Sequence, residues 1–495
     1  MTIKANREPD LRAKLSGFAF QMQAVNATKD LPFAAIFHEQ GLGKTKIGID
    51  IALAWLSQDI VDSVLIVTKR GLIQNWCDET KLHSHVQPRL LTQDRKANFL
   101  AFNSPARIYL THYEVLKSEQ KRLELFLKTR RVGVLLDEAH KIKNPASDIT
   151  KALFALSPGF VRKIIMTGTP VANRPYDLWA QIFFLDQGVS LGSDFSSFRH
   201  ELDLSNELVR NPDKAQRFED ALSSLFSKIQ AFAVRDTKQS ARIELPEKQI
   251  NNIAVPLESR QAEIYGQFRR DFAAIVVRDG RPQLDDADEI LKRLLRLVQV
   301  ASNPRLVDGS YRGMPGKFRY LVNLLEKIID DGEKAIVWTA FTENVDWLAR
   351  ELQHLGAVRV HGKVSYDERN RSVKRFKSDP ECKILVATPA SAKEGLTLTV
   401  ANHAIFFDRS FSLDDYLQAQ DRIHRISQDK PCRIDNLIAI NTVDEWVDVL
   451  LGAKQLAARL GQGDITLKEY KAEATYAFGE VVRDVLGLGR AKDGQ

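Results

Sequence analysis

Short apolar runs punctuate the chain, each followed by polar or glycine residues and then by a helical pattern. Five lie in the first third, at residues 33–37, 64–68, 108–111, 132–136 and 164–167. Five more follow at 335–339, 358–360, 384–388, 404–407 and 436–440. These runs do not alternate with polar residues. That pattern suits strands buried on both faces, as in a parallel sheet. Between them lie helical stretches such as 45–56, where Ile47, Ile51, Ala54 and Trp55 share a face. Two sets of alternating strands and helices predict two α/β domains. The segment between them is charge-rich, with Leu291, Leu294, Leu295 and Val298 at helical spacing and turn chemistry at Arg281-Pro282 and 309–316. It reads as a helical insert and linker. The predicted division is a tail at 1–11, a first lobe at 12–185, the insert and linker at 186–316, a second lobe at 317–450, and a helical extension and tail at 451–495.

Composition changes this picture little. The 495 residues hold 71 Lys plus Arg against 64 Asp plus Glu, a net charge of +7. This excess permits a polyanionic partner without requiring one. Cys77, Cys382 and Cys432 lie far apart and form no CxxC pair, which excludes a zinc finger or a disulfide framework as the organising element and fits a reducing compartment. The opening MTIKANREPDLRAKL has no apolar core of a secretory leader, and no stretch reaches eighteen consecutive apolar residues. A soluble protein without a membrane partner is expected.

Three segments carry chemistry. Residues 38–45 read HEQGLGKT, between an apolar run and a helical one. Gly41 and Gly43 let the backbone turn its N–H groups toward phosphate oxygens, Lys44 can reach terminal phosphates, and the Thr45 hydroxyl can ligate magnesium. Residues 132–140 read VGVLLDEAH, which places Asp137 and Glu138 at the carboxyl edge of a sheet. Asp137 suits a magnesium ligand and Glu138 suits orienting or deprotonating a water. A solvated acidic turn that caps the next helix is the plainer reading. Residues 418–428 read QAQDRIHRISQ. On a helix, Gln418, Arg422 and Arg425 share one face, which suits a clamp on a γ-phosphate. A solvated basic face is the alternative. If all three segments touch one nucleotide, ATP sits in a cleft between two domains, and the chain is a motor or a switch.

In order, HEQGLGKT, LLDEAHKIKNP, MTGTP and QAQDRIHRISQ resemble the motifs of a Swi/Snf-type superfamily-two motor of the DEAH-box kind. Phe20-Gln21 resembles the adenine-reading Q motif. LIVTKRGLIQNW, IYLTHYEVL, ANRPYDLW, LPEK, Ser302-Asn303-Pro304, His361-Gly362 with Arg369, and ATPASAKEGLTLTVA agree with it. The likeness covers roughly residues 12–450, and GLTLT resembles the HepA-related annealing-helicase branch. His38 departs from the family's usual Asp, Phe411-Ser412-Leu413 from its Trp-Asn-Pro, and Ser427 from a Gly.

The resemblance implies two RecA-like parallel-sheet lobes with a helical insert between them, and ATP and Mg2+ as cofactors. It implies that Phe20, Gln21, Gly41, Leu42, Gly43, Lys44, Thr45, Gly395 and Gln418 bind ATP, with magnesium on Thr45 and Asp137. Lys44, Asp137, Glu138, Arg422 and Arg425 would be catalytic. His140, Thr167 and Thr169 would couple the site to motion. Lys69, Arg70, Thr111, Asn144, Thr388 and Lys393 would touch DNA backbone phosphates. Trp76 fits a core aromatic equally well. The implied activity is an ATP-dependent double-stranded DNA translocase acting on duplex or forked DNA, in the cytoplasm of a bacterium, at its nucleoid, or in a phage-infected cell. A strand-separating DNA or RNA helicase and an ATP-gated DNA-binding switch are the competing readings.

Overall fold

The apolar runs become strands of two parallel sheets, all inner except the run at 358–360, which lies at an edge. The structure is a computed structural model that describes residues 9–104, 106–171, 175–202, 212–241, 245–278, 281–282, 287–392, 397–461, 464–465 and 469. It falls into two compact units that part between residues 244 and 245, with a short stretch after residue 457 returning to the first.

The first unit holds β1 (Phe33–Ile36), β2 (Ser63–Thr68), β3 (Arg89–Leu90), β4 (Ile108–His112), β5 (Val132–Asp137), β6 (Arg162–Met166) and β7 (Ala233–Val234). They pair in the order β3-β4-β2-β5-β6-β1-β7, parallel throughout. Every residue of β2, β4 and β5 is buried, as expected of a sheet covered on both faces. Helix Lys44–Ser57 supplies Ile47, Ile51 and Trp55 to that core, each fully buried.

The second unit holds β8 (Lys248–Val255), a pair of two-residue antiparallel strands β9 (Val277–Arg278) and β10 (Arg281–Pro282), β11 (Ala335–Trp338), β12 (Ala357–Val360), β13 (Ile384–Ala387), β14 (His403–Phe406) and β15 (Cys432–Ala439). The main sheet runs β12-β13-β11-β14-β15-β8, again all parallel. All ten predicted runs lie on strands. The segment at 186–316 is not wholly helical, because β7 and β8 both lie in it. β8 pairs along its full length with β15, Lys248 opposite Cys432 through Val255 opposite Ala439. Its KQINNIAV sequence hides this, because its asparagines serve cross-strand partners: Asn251 donates to Asp435 at 2.9 Å, and Asn252 accepts from Asn436 at 2.9 Å.

Two buried charges fix the second unit. Asp408, at the end of β14, accepts from Ser302 and Thr339 (both 2.6 Å), the Ala340 N–H (2.7 Å) and Asn344 (3.2 Å). Burial pushes its carboxyl above the usual range, and these bonds oppose that push. Lys317 is 1% exposed; its ammonium donates to the Phe407 carbonyl at 2.9 Å and pairs with buried Asp444. No helix among the described residues is long and apolar enough to cross a membrane.

Replacing Lys317 by Met leaves Asp444 a buried carboxylate without its cation. The expected loss is about 3–5 kcal/mol, read by denaturant unfolding. A loss below about 1 kcal/mol would show that the pair contributes little to the fold.

Candidate active site

Four neighbouring strands of the first sheet, β2, β5, β6 and β1, run parallel and end along one edge. Neighbouring strands lie about 4.8 Å apart, so the segments leaving adjacent strand ends meet one another. The four continuations are Thr68-Lys69, Asp137-Glu138, Thr167-Gly168-Thr169 and the loop at 38–45.

That loop turns through two left-handed glycines, Gly41 at φ +88° and Gly43 at φ +70°. A Cβ on Gly43 would stand 2.4 Å from the Gln21 amide nitrogen. Gln21, 4% exposed, is itself clamped to the loop: its nitrogen donates to the Leu42 carbonyl at 3.1 Å, and its oxygen accepts the Phe18 N–H at 2.9 Å. Lys44 opens the following helix and folds back, donating to the carbonyls of His38 (2.9 Å) and Glu39 (3.2 Å). Thr45 is half-buried beside it. Gly168 lets the loop after β6 press on this one; a Cβ there would lie 2.6 Å from Gln40 Cγ and 3.2 Å from Lys44 Nζ.

His38 is fully buried. Its Nδ1 accepts the Asp236 N–H at 3.1 Å, so Nε2 bears the proton, 3.6 Å from the Asp236 carboxylate. Burial holds the imidazole down at about 4, against the pull of Asp236 and with the push of Lys44. A neutral histidine thus stands in the loop.

Asp137 ends β5 as a buried carboxylate with three donors. Oδ2 accepts from Thr68 (2.9 Å) and from the Trp76 indole (2.8 Å), and Oδ1 accepts the Glu138 N–H (3.0 Å). The Tyr113 hydroxyl donates to its backbone carbonyl at 2.7 Å. Burial, then the adjoining Glu138, push this carboxyl above the usual range, while Trp76 and Thr68 pull it back. Glu138 takes the left-handed conformation, φ 54° and ψ 47°, unusual for a non-glycine residue and a concentration of strain at a site. Its carboxylate lies 3.3 Å from His140 Nδ1 and 3.9 Å from Lys69 Nζ. His140 is also 3.2 Å from the Thr167 hydroxyl and 3.5 Å from that of Thr169. The expected coupling residues therefore share one cluster with Glu138.

In the second unit, helix Leu413–Gln420 ends before the arginines. This corrects the expectation of one helix through residue 428. Residues 421–427 form turns instead, because the Arg422 carbonyl accepts the Leu398 N–H at 3.0 Å and the His424 ring meets the Pro246 carbonyl at 2.9 Å. Arg425 donates to the Asp421 carbonyl and to the Thr397 hydroxyl. Arg422 and Gln418 are both buried, and the Gln418 amide nitrogen has no hydrogen-bond partner among the described residues.

The predicted DNA contacts separate. Arg70 and Asn144 are exposed, with Asn144 Oδ1 held by the Ala146 N–H. Thr111 is fully buried and donates to the Leu91 carbonyl at 3.0 Å. Thr388 is 5% exposed and accepts the Ser391 N–H. Both hydroxyls serve backbone groups inside the fold. Lys69 faces the Glu138 cluster. Gly395 and Lys393 lie outside the described residues.

Trp76 takes a fuller place than its sequence context shows, and Phe18 and Gln40 carry no expectation from the sequence. Trp76, fully buried, is an Asp137 partner and not merely a core aromatic. Phe20 is buried, whereas Phe18 is 57% exposed and stacks on it with centroids 6.0 Å apart, so Phe18 offers the open ring beside Gln21. Gln40, within the loop, has a buried amide nitrogen with no partner among the described residues. Its place inside HEQGLGKT was a signal.

A scan against family models matches residues 32–306 to the SNF2-related domain and residues 316–427 to the helicase conserved C-terminal domain. The chain belongs to the SNF2-related family. It is 28% identical to an uncharacterized ATP-dependent helicase of Mycoplasma genitalium over 87% of this chain and 40% of that protein. It is 27% identical to the human SWI/SNF-related matrix-associated actin-dependent regulator of chromatin subfamily A member 1, over 83% of this chain and 40% of that protein. The chain thus spans about two fifths of these relatives' length. Among solved structures, the Sulfolobus solfataricus SWI2/SNF2 ATPase core in complex with dsDNA matches at 25% identity and a TM-score of 0.42, over 97% of this chain and 98% of that one.

Trp76→Phe removes a donor from a buried carboxylate and keeps most of the ring volume. It should cost about 1–3 kcal/mol of stability in denaturant unfolding. His38 adds a pH effect. Its folded value lies below its unfolded one, so the unfolded chain binds the extra proton between pH 6.5 and about 4. Stability should fall as pH drops through that window, and His38→Asn should flatten the fall, measured as unfolding midpoints at both ends.

Proposed function

We propose that this chain is an ATP-driven translocase on double-stranded DNA, working by repeated hydrolysis at the edge formed by β1, β2, β5 and β6. The observation that carries the reading is that Lys44 after β1 and Asp137, Glu138 and His140 at the end of β5 share one sheet edge with Lys69 after β2 and Thr167 after β6. The left-handed glycine loop and Lys44 suit the phosphates of ATP, and the unpartnered Gln40 amide adds a donor inside the loop. Phe18 and Gln21 suit the base. The oxygen donors there, the Thr45 hydroxyl and the Asp137 carboxylate, fit Mg2+. Among the described residues no cluster of three or more His, Cys, Asp or Glu forms a dedicated cage, as befits an ion held by few protein groups and by substrate oxygens. Thr45 and Asp137 would hold it, and its contribution is to neutralise phosphate charge.

Glu138 accepts a proton from the attacking water and sets its line of approach. Trp76 and Thr68 keep the Asp137 carboxylate in one orientation. By the resemblance, Arg422 and Arg425 would be the arginines that stabilise transition-state charge. Arg70 and Asn144 offer backbone-phosphate contacts, which position a duplex without reading its sequence. The resemblance of residues 141–145 and 245–248 to Swi/Snf motors favours movement on duplex DNA over strand separation. On this reading the protein works in the cytoplasm of a bacterial or phage-infected cell. The preference for plain or forked duplex is part of the test.

The test is ATP hydrolysis with duplex, forked and single-stranded DNA and with RNA, beside Glu138→Gln. Duplex or forked DNA should stimulate the rate, and the variant should lose at least about 100-fold. Stimulation by single strands or RNA alone would favour a strand-separating helicase. ATP binding with no response to nucleic acid would favour a switch.

A further inference from the structure

Lys69 follows β2 with a side chain only 17% exposed, next to exposed Arg70. Its Nζ lies 2.8 Å from His140 Nε2 and 3.9 Å from the Glu138 carboxylate. A lysine ammonium has donors and no acceptor, so His140 Nε2 is the accepting nitrogen and its proton sits on Nδ1. That Nδ1–H faces Glu138, at 3.3 Å, and the hydroxyls of Thr167 and Thr169. Glu138 is therefore bordered by a cation and by a ring N–H that the same cation orients. Both address the same oxygen, Oε2, and hold it toward this cluster and not toward a water. The cation is also the group in this cluster that adjoins the exposed Arg70.

We infer that Lys69 is a positioning residue that restrains Glu138 through His140 and is drawn off by a DNA phosphate, so that duplex binding itself frees the hydrolytic carboxylate. The inference rests on the translocase reading and supplies its regulation. A phosphodiester close to Arg70 competes for the ammonium by charge. As Lys69 turns toward it, His140 loses the donor that fixes its tautomer, and Glu138 loses the neighbouring positive charge. No covalent step is involved. The device accounts for a motor that stays slow until it is on its track.

The inference predicts a split that a plain DNA contact does not. Lys69→Met should raise the DNA-free hydrolysis rate by roughly fivefold, the size of one partly exposed ion pair. It should leave the duplex-saturated rate within about twofold of wild type and raise the half-saturating DNA concentration. Lys69→Arg, which keeps the charge, should hold the DNA-free rate low. An unchanged DNA-free rate with only the half-saturating concentration shifted would reduce Lys69 to a DNA contact and overturn the inference. A parallel fall in both rates would make it a structural support and overturn it too. A second readout uses no ATP: histidine-labelled protein in EDTA, followed by nitrogen NMR, with His140 assigned by its loss in His140→Gln. Duplex DNA should move the His140 Nε2 signal in wild type and not in Lys69→Met. A still signal with DNA bound, shown by fluorescence anisotropy, would sink the link whatever the hydrolysis data say. Absence of DNA-stimulated hydrolysis in wild type with a moving signal would instead count against the translocase reading.

Discussion

The first unit is organised around a buried carboxylate, 6% exposed. Burying a charge is costly unless it is met by donors, and Asp137 is met by Thr68, Trp76 and the Glu138 amide, with Tyr113 on its carbonyl. Those donors come from β2, from the helix after it, from the residue following β5, and from the helix after β4. Satisfying one side chain thus ties several elements to one strand end. It also leaves Glu138 in a left-handed conformation that aims it across the edge toward Lys69 and His140. Position and chemistry follow from the same constraint.

The phosphate loop shows a comparable economy. Gly43 is needed twice, for its positive φ and for the absence of a side chain under Gln21. Gly168 is needed because the loop after β6 must lie against Gln40 and Lys44. The loop is also joined to the segment after β7. His38 receives the Asp236 N–H, the Glu39 N–H donates to the Asp236 carbonyl, and the Glu39 carboxylate receives the Lys238 N–H. Histidine at position 38 is therefore compatible with the loop as a neutral, buried acceptor.

Much of this was legible in the sequence, and the reasons for the rest are physical. Strands buried on both faces announce themselves by unbroken apolar runs; β12, an edge strand of alternating burial, shows only as Val358 and Val360. β8 is an edge strand whose asparagines are spent on Asp435 and Asn436, and such polar pairing erases the hydrophobic signal. The turns at 421–427 were read as helix because their apolar spacing is helical. What breaks the helix is long-range bonding to Leu398 and Pro246, invisible to any local pattern. Lys44, Asp137, Glu138 and His140 stand out in the sequence through motif order, and the fold brings them to one sheet edge. Trp76 was seen but could not be assigned, since only the fold brings its indole to Asp137. A threonine at a strand end can equally satisfy a buried backbone group, as Thr111 and Thr388 do, and the sequence does not separate that role from a phosphate contact.

The central claim is that hydrolysis moves the protein along an intact duplex. The direct measurement is displacement of a labelled third strand from a triplex built on duplex DNA. The account predicts ATP-dependent release of the third strand, with the underlying Watson–Crick duplex left paired, and no release with Glu138→Gln. Hydrolysis stimulated by the same duplex without third-strand release, or release accompanied by separation of the duplex, would contradict it.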